Sequence, residues 1–317
     1  MTLNKEDLEH LVIGSSFFSC GGGGTREEGF EILKDIDSAE LVDLDKLGEK
    51  RFIASPYACG SLDSDTENPG PVFKELKATI ELQEYVGTKF AGLFPTELGG
   101  YNTAVVFTVA HKLGIPVVDG DGAGRSVPEI HHSIPSILGF KSFPCSIVFP
   151  DGDVIIVKEA KNDEKIESIV RQLVSNFGNL GVCDHPMRIK NAKKALVKGS
   201  LTKSLKLGSL IVKKDLEAIL RETDSKIVGE GIIKKVKKTS SDGFTEGETH
   251  IGNHVVYFKN ENMILNDDKE NWKFPDLIIL LDQDTLLPVE NPPEEGKSVY
   301  ILVSKADPRW YERVWTV

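Results

Sequence analysis

The first half of the chain switches between two hydrophobic periods. Leu8, Leu11 and Val12 recur at helical spacing and predict a helix over residues 5–13, which the glycines of GSSFFSCGGGG bring to an end. Thr25 and Glu28 stand in capping-box register, so a second helix runs from residue 26 to about 36. AELVDL and RFIASPYA read as strands, the polar SLDSDTENPGP as a loop, and Phe73–Val86 as a helix. A strand over 89–94, a helix over 103–112 between an Asn102 N-cap and Gly114, and a strand over 115–119 then form a strand–helix–strand unit. Such a unit is a right-handed crossover between parallel strands, so Glu97 and Asp119 leave the same sheet edge. A further helix is expected over 127–138, interrupted by Pro135, followed by a hairpin pairing 146–149 with 154–157 across Pro-Asp-Gly-Asp. An amphipathic helix over 162–176 carries Ile166, Ile169, Val170, Leu173 and Val174 on one stripe.

Beyond that helix the pattern changes. A basic helical stretch, MRIKNAKKALVKG, and a helix over 214–222 lead into short β-type runs, KIVGEGIIKKVKK, THIGNHVVYFKN, DLIILLD and KSVYILVSK. The expected architecture is an α/β domain with a mostly parallel sheet over residues 1–165, followed by a β-rich α+β domain over 166–317. The lysines at 234, 235, 237 and 238 alternate with apolar residues as on the solvated face of a strand.

Composition narrows the classes. A chain of 317 residues with 40% hydrophobic positions buries a core without staples. Its net charge of −11 lacks the basic footprint of a nucleic-acid binder. Cys20, Cys59, Cys145 and Cys183 are far apart and form no CxxC pair, so buried free thiols are expected. The acidic N-terminus is unlike a signal peptide and no apolar run would span a bilayer, which predicts a cytoplasmic protein.

The densest chemistry lies in residues 94–132. Glu97, Asp119 and Asp121 fall at the ends of apolar β-type segments, where an α/β sheet places its ligand crevice. Gly99 and Gly100 let backbone approach a ligand, and Asn102 can either cap a helix or point its amide into the crevice. Asp119 and Asp121 share a face in extended geometry and suit acid–base work or metal binding. Arg125 either orients an anionic oxygen or pairs with Glu129 one turn later. If a divalent metal is bound, Asp119, Asp121, Glu129 and His131 supply its ligand types, although no HExxH spacing enforces it, and no cofactor is otherwise required. His132 faces away from His131 on the expected helix. Gly21, Gly22, Gly23 and Gly24 precede a helix N-terminus, an arrangement that cradles an anion or simply makes a tight turn. Cys20 beside them lacks an assigned histidine base.

Several blocks, GSSFFSCGGGG, ELGGYN, IPVVDGDGAGRSVPEI, VKGSLTKSLKLG, GFTEGE and FPDLIILLD, resemble the family named for S-methyl thiohydantoin desulfurase, often encoded beside hydantoinase/oxoprolinase subunits. The resemblance runs over nearly the whole chain, departing at Cys20, where relatives often carry a small or hydroxyl residue, and at the terminal RVWTV, where relatives have a further glycine-rich tail. It implies an α/β N-terminal and a β-rich C-terminal domain. It also implies hydrolytic displacement of methanethiol from a five-membered cyclic imidothioate, leaving a hydantoin. In that reaction Asp119 or Asp121 would activate water, Glu97 would donate to or hold a ring N–H, and Arg125 with the glycine-loop amides would stabilise charge. Two other readings are a non-catalytic partner of a hydantoinase/oxoprolinase-type assembly and a metal-dependent amidohydrolase. The expected partners are a small cyclic amide or thiohydantoin-like substrate, such a subunit, and a second copy in a homo-oligomer, with no nucleic acid and no membrane.

Overall fold

A computed structural model describes residues 1–60, 72–241, 243–266, 271–313 and 315. The chain runs β1 (Thr2–Asn4), α1 (Lys5–Phe18), α2 (Arg26–Leu33), β2 (Ser38–Val42), β3 (Phe52–Cys59), α3 (Phe73–Val86), α4 (Gly100–Leu113), β4 (Val117–Val118) and β5 (Gly120–Asp121). It continues through α5 (Ile134–Ile137), β6 (Cys145–Val148), β7 (Val154–Val157), α6 (Asp163–Phe177), β8 (Leu180–Arg188), α7 (Ile189–Ala195), β9 (Val197–Lys198), α8 (Ser200–Val212) and α9 (Leu216–Thr223). The remainder is β10 (Lys226–Ser241), β11 (Phe244–Ile251), β12 (His254–Lys259), β13 (Glu261–Asn266), β14 (Trp272–Lys273), β15 (Leu277–Asp282) and β16 (Ser298–Ser304).

Local signals fix several of these elements. Thr25 and Glu28 make the reciprocal capping box that starts α2, and Gly114 closes α4 at a φ of +64°. α1 extends beyond its predicted end, through Ser15, Ser16 and two phenylalanines. The predicted loop over 61–71 lies outside the described residues.

A mostly parallel first sheet is not found among the described residues. Among the described residues parallel pairing is confined to β2 with β4 and to single bridges that join Leu93 to Ala54 and Val117, so the expected strand over 89–94 shrinks to one residue. The larger sheet of this half, in the order β3-β8-β6-β7, is antiparallel throughout. Residue 165 lies inside α6, and the chain after it returns to the first half: β8 pairs with β3 and β6, and β9 pairs with β5. From β10 onward the strands build one antiparallel sheet in the order β14-β13-β12-β11-β10-β16-β15. The architecture is α+β in two parts with a strand-rich second part.

One core spans both parts. Leu11, Phe17 and Phe107 of the helices pack in the same cluster as Ile279, Leu302 and Trp310, and the Trp310 indole donates to the Ala123 carbonyl at 2.8 Å. No helix among the described residues is long and apolar enough to cross a membrane.

α1 and α8 pack backbone to backbone. A methyl added at Gly208 would lie 1.7 Å from the His10 carbonyl oxygen, and one at Gly14 would lie 1.8 Å from that of Ser204. An alanine within a helix ordinarily stabilises relative to glycine. Gly208→Ala should instead cost about 1–3 kcal/mol through overpacking, read as a lower urea midpoint with an unchanged slope.

Candidate active site

A cavity of about 890 Å³ opens between the two parts. Its walls come from the start of α2 (Gly23 to Glu28), the end of β3, the starts of α3 and α4, residues 127–130, the β12–β13 corner and the segment 282–297.

The centre of this wall is a pair of acids joined by one hydroxyl. Glu97 Oε2 accepts from Ser126 Oγ at 2.8 Å and from the Val127 amide at 2.7 Å, while its Oε1 accepts from Asn102 Nδ2 at 2.7 Å. On its other side Ser126 Oγ lies 2.8 Å from Glu261 Oε1. A hydroxyl carries one hydrogen and cannot donate to both carboxylates, so both contacts are hydrogen bonds only when one carboxyl is protonated. Burial, and then the charge of Glu97, push Glu261 up to about 8, which makes Glu261 the acid near neutral pH. Burial also raises Glu97, but the Val127 amide, Asn102 and Ser126 favour its ionised form. The buried Glu261 Oε2 has no hydrogen-bond partner.

Asn102 is not the expected N-cap. Gly99 occupies that position, and the Asn102 side chain inside α4 also accepts from the Ala58 amide at 3.1 Å, tying Glu97 to β3. Tyr57, on the cavity wall, donates to buried Asp184 at 2.9 Å, and the opposite oxygen of Asp184 meets His185 Nδ1 at 2.8 Å. The phenol hydrogen is therefore committed to Asp184.

The glycine motifs divide. Gly23 and Gly24 line the cavity, whereas Gly21, Gly22, Gly99 and Gly100 do not. The Gly23 carbonyl accepts from the Tyr101 and Asn102 amides, so it caps α4 and occupies amides that might have bound an anion. A methyl on Gly99 would fall 2.5 Å from the Gly23 carbonyl oxygen, and one on Gly22 would fall 2.0 Å from Glu261 Oε1. Close approach of two turns, rather than ligand binding, accounts for most of these glycines.

Of the four predicted catalytic residues, the cavity wall includes Glu97 alone. Asp119 accepts from the Thr202 amide at 3.0 Å and its hydroxyl at 2.5 Å, supplying to α8 the cap that Gly199 lacks. Asp121 is fully buried and turns its Oδ2 to the amides of Ala123 and Gly124, with burial raising its pKa to about 7. Arg125 is fully buried too. It donates to the carbonyls of Ser126, Pro275 and Asp276 at 2.8 Å each, and its guanidinium lies over the Phe274 ring. It does not pair with Glu129, which lines the cavity and binds Lys259 at 2.7 Å. Burial raises the Cys20 thiol rather than lowering it.

The helix expected over 127–138 is only Ile134–Ile137, and the His131 and His132 rings lie beside Glu129, tilted against each other with centroids 4.3 Å apart. These three residues offer ligand atoms within 4.8 Å of one another, and Asp119 and Asp121 are not among them. Lys259 already neutralises the one carboxylate of the group, which favours an ion pair over a dication.

Sequence reasoning missed Ser126, Glu261, Tyr57, Asp184 and His185. A signal existed for Glu261, an acid opening a strand whose first three positions are all buried.

Residues 6–159 match the S-Me-THD-like N-terminal domain and residues 161–314 the S-Me-THD-like C-terminal domain. No curated protein matches the chain. A crystal structure of a protein from Chromobacterium violaceum shares the fold, with a TM-score of 0.77 at 24% identity over 98% of this chain and 95% of that one. With both domains matched in order from residue 6 to residue 314, this chain belongs to the S-Me-THD-like family.

Proposed function

We propose that the protein is a hydrolase that displaces a thiol from a hydantoin-type imidothioate ring. The observation that carries this reading is the Glu261–Ser126–Glu97 chain, which sets one transferable proton and one carboxylate side by side at the wall of the cavity. Family membership supports the substrate class.

In this reading ionised Glu97 takes a proton from water as the water oxygen bonds to the ring carbon. The C=N electron pair moves to the ring nitrogen as the water oxygen adds, and protonated Glu261 gives its proton to the departing sulfur, so the C–S bond breaks to release methanethiol. The second water hydrogen passes from the new hydroxyl to the ring nitrogen, leaving a carbonyl and a ring N–H. Glu97 is then protonated and Glu261 ionised. The Ser126 hydroxyl resets them by passing its hydrogen to Glu261 and receiving the one on Glu97. In the same reading the Tyr57 phenol oxygen accepts a ring N–H.

The test is thiol release from S-methyl thiohydantoin as a function of pH. The reaction needs Glu261 protonated, so kcat/KM should fall as pH rises through about 8, and it needs Glu97 ionised, so an acid limb should appear above the ordinary carboxylate range. No thiol release at any pH would sink the reading.

Stability follows the same proton. Glu261 has a raised folded pKa, so its contribution is fully present below the ordinary value of 4.5 and is lost as pH rises through about 8. Glu261→Gln should therefore melt above the wild type at pH 9 but not at pH 5.

A further inference from the structure

The cavity is larger than a five-membered ring requires. At about 890 Å³ it lies near the top of the roughly 300–1,000 Å³ typical of small-molecule sites, leaving room for a long ring substituent. Nine of the lining residues are acids and four are bases, and every base is engaged. Arg26 binds Glu290, Lys74 donates to the Asn179 carbonyl, Arg171 binds Glu167, and Lys297 binds Glu294. The unspent charge is negative.

One acid stands out. Glu75, in the first turn of α3, is 1% exposed and lines the cavity, yet among the described residues its carboxylate makes no hydrogen bond or ion pair with another side chain. Burial opposes its ionised form, while its own backbone amide and the charge of Lys74 favour it. Tyr101 lines the same region, and its hydroxyl likewise has no partner among the described residues. The two groups are neighbours, since Glu75 is the largest charge acting on the Tyr101 phenol, ahead of Glu28. The Glu75 carboxylate is held by its own backbone amide and lies near Lys74, whose ammonium donates instead to the Asn179 carbonyl, so a cation in direct hydrogen-bond contact offsets a burial cost that these two only partly meet.

We infer that Glu75 and Tyr101 form a subsite for a cationic nitrogen, an ammonium or guanidinium at the end of the ring substituent. The preferred substrates are then rings derived from basic amino acids. This deepens the hydantoin reading, but the subsite itself rests on Glu75.

Two measurements separate the subsite from the ring chemistry. Saturation-transfer NMR with pentylammonium and with pentanol probes the subsite without any reaction. Wild-type protein should bind pentylammonium about tenfold better, the value of one charge-assisted hydrogen bond, and Glu75→Gln should abolish that preference while pentanol is unaffected. Glu75→Gln keeps the size of the side chain and removes a charge that burial disfavours, and a melting curve beside each titration checks the fold. Equal binding of the two probes by the wild type, or a preference that survives in Glu75→Gln, overturns the subsite. In the second arm, S-methyl thiohydantoins carrying 4-aminobutyl or pentyl substituents should differ about tenfold in KM, and Glu75→Gln should erase the difference. If neither compound releases thiol, the ring reading fails while the NMR arm still decides the subsite.

Discussion

Glu97→Gln should lower kcat by about 10²–10⁴-fold, the range of a lost general base, and Glu261→Gln should do the same as a lost general acid. The two variants differ in stability. At Glu97 both oxygens face donors, from Asn102, Ser126 and Val127, so a glutamine turns its own N–H₂ toward one of them and costs stability. At Glu261 the acid already presents a hydrogen to Ser126, and the amide reproduces that contact without a transferable proton. Asp119→Asn is the contrasting control, weakening the cap on α8 by about 1 kcal/mol while turnover per folded molecule persists. Steady-state thiol release with parallel melting curves checks all three. Full activity in Glu97→Gln, or inactivity in Asp119→Asn, would move the chemistry away from the cavity.

Arg125→Met should be the most destabilising of these changes, by about 3–6 kcal/mol, because three buried carbonyls each lose a charged donor. The Phe274 ring also loses its cation. Activity per folded molecule should survive, since the guanidinium does not line the cavity. Urea unfolding measures the first effect, and turnover normalised to folded protein measures the second. A loss below about 1 kcal/mol, or a catalytic defect in the folded fraction, would overturn this structural assignment.

What was legible in the sequence was local. The Thr25/Glu28 box, the helix Phe73–Val86 and the β6–β7 hairpin are written in residues a few positions apart. The helix expected over 127–138 shrinks to Ile134–Ile137, and the Val127 and Ile130 amides are taken by carboxylates distant in sequence, Glu97 and Glu167. The site too depends on residues distant in sequence. Glu97 was visible as an acid after an apolar run, but its partner Glu261 lies far along the chain, and only the docking of the two parts brings them onto one hydroxyl. Asp119, Asp121 and Arg125 carry the composition of a site. They serve instead as a helix cap, a turn and a carbonyl clamp.

The interlocked turns at Gly23 and Gly99 restrict the variation open to this protein. Neither turn can acquire a side chain while the other stays in place, so drift at these two positions is blocked unless both change together. The rim of the cavity carries no such constraint: Glu27 and Glu294 project from exposed backbone and can be exchanged singly. Under the proposed hydrolase reading, the range of rings admitted can therefore be retuned at the mouth over many generations while the paired acids beneath it keep their geometry.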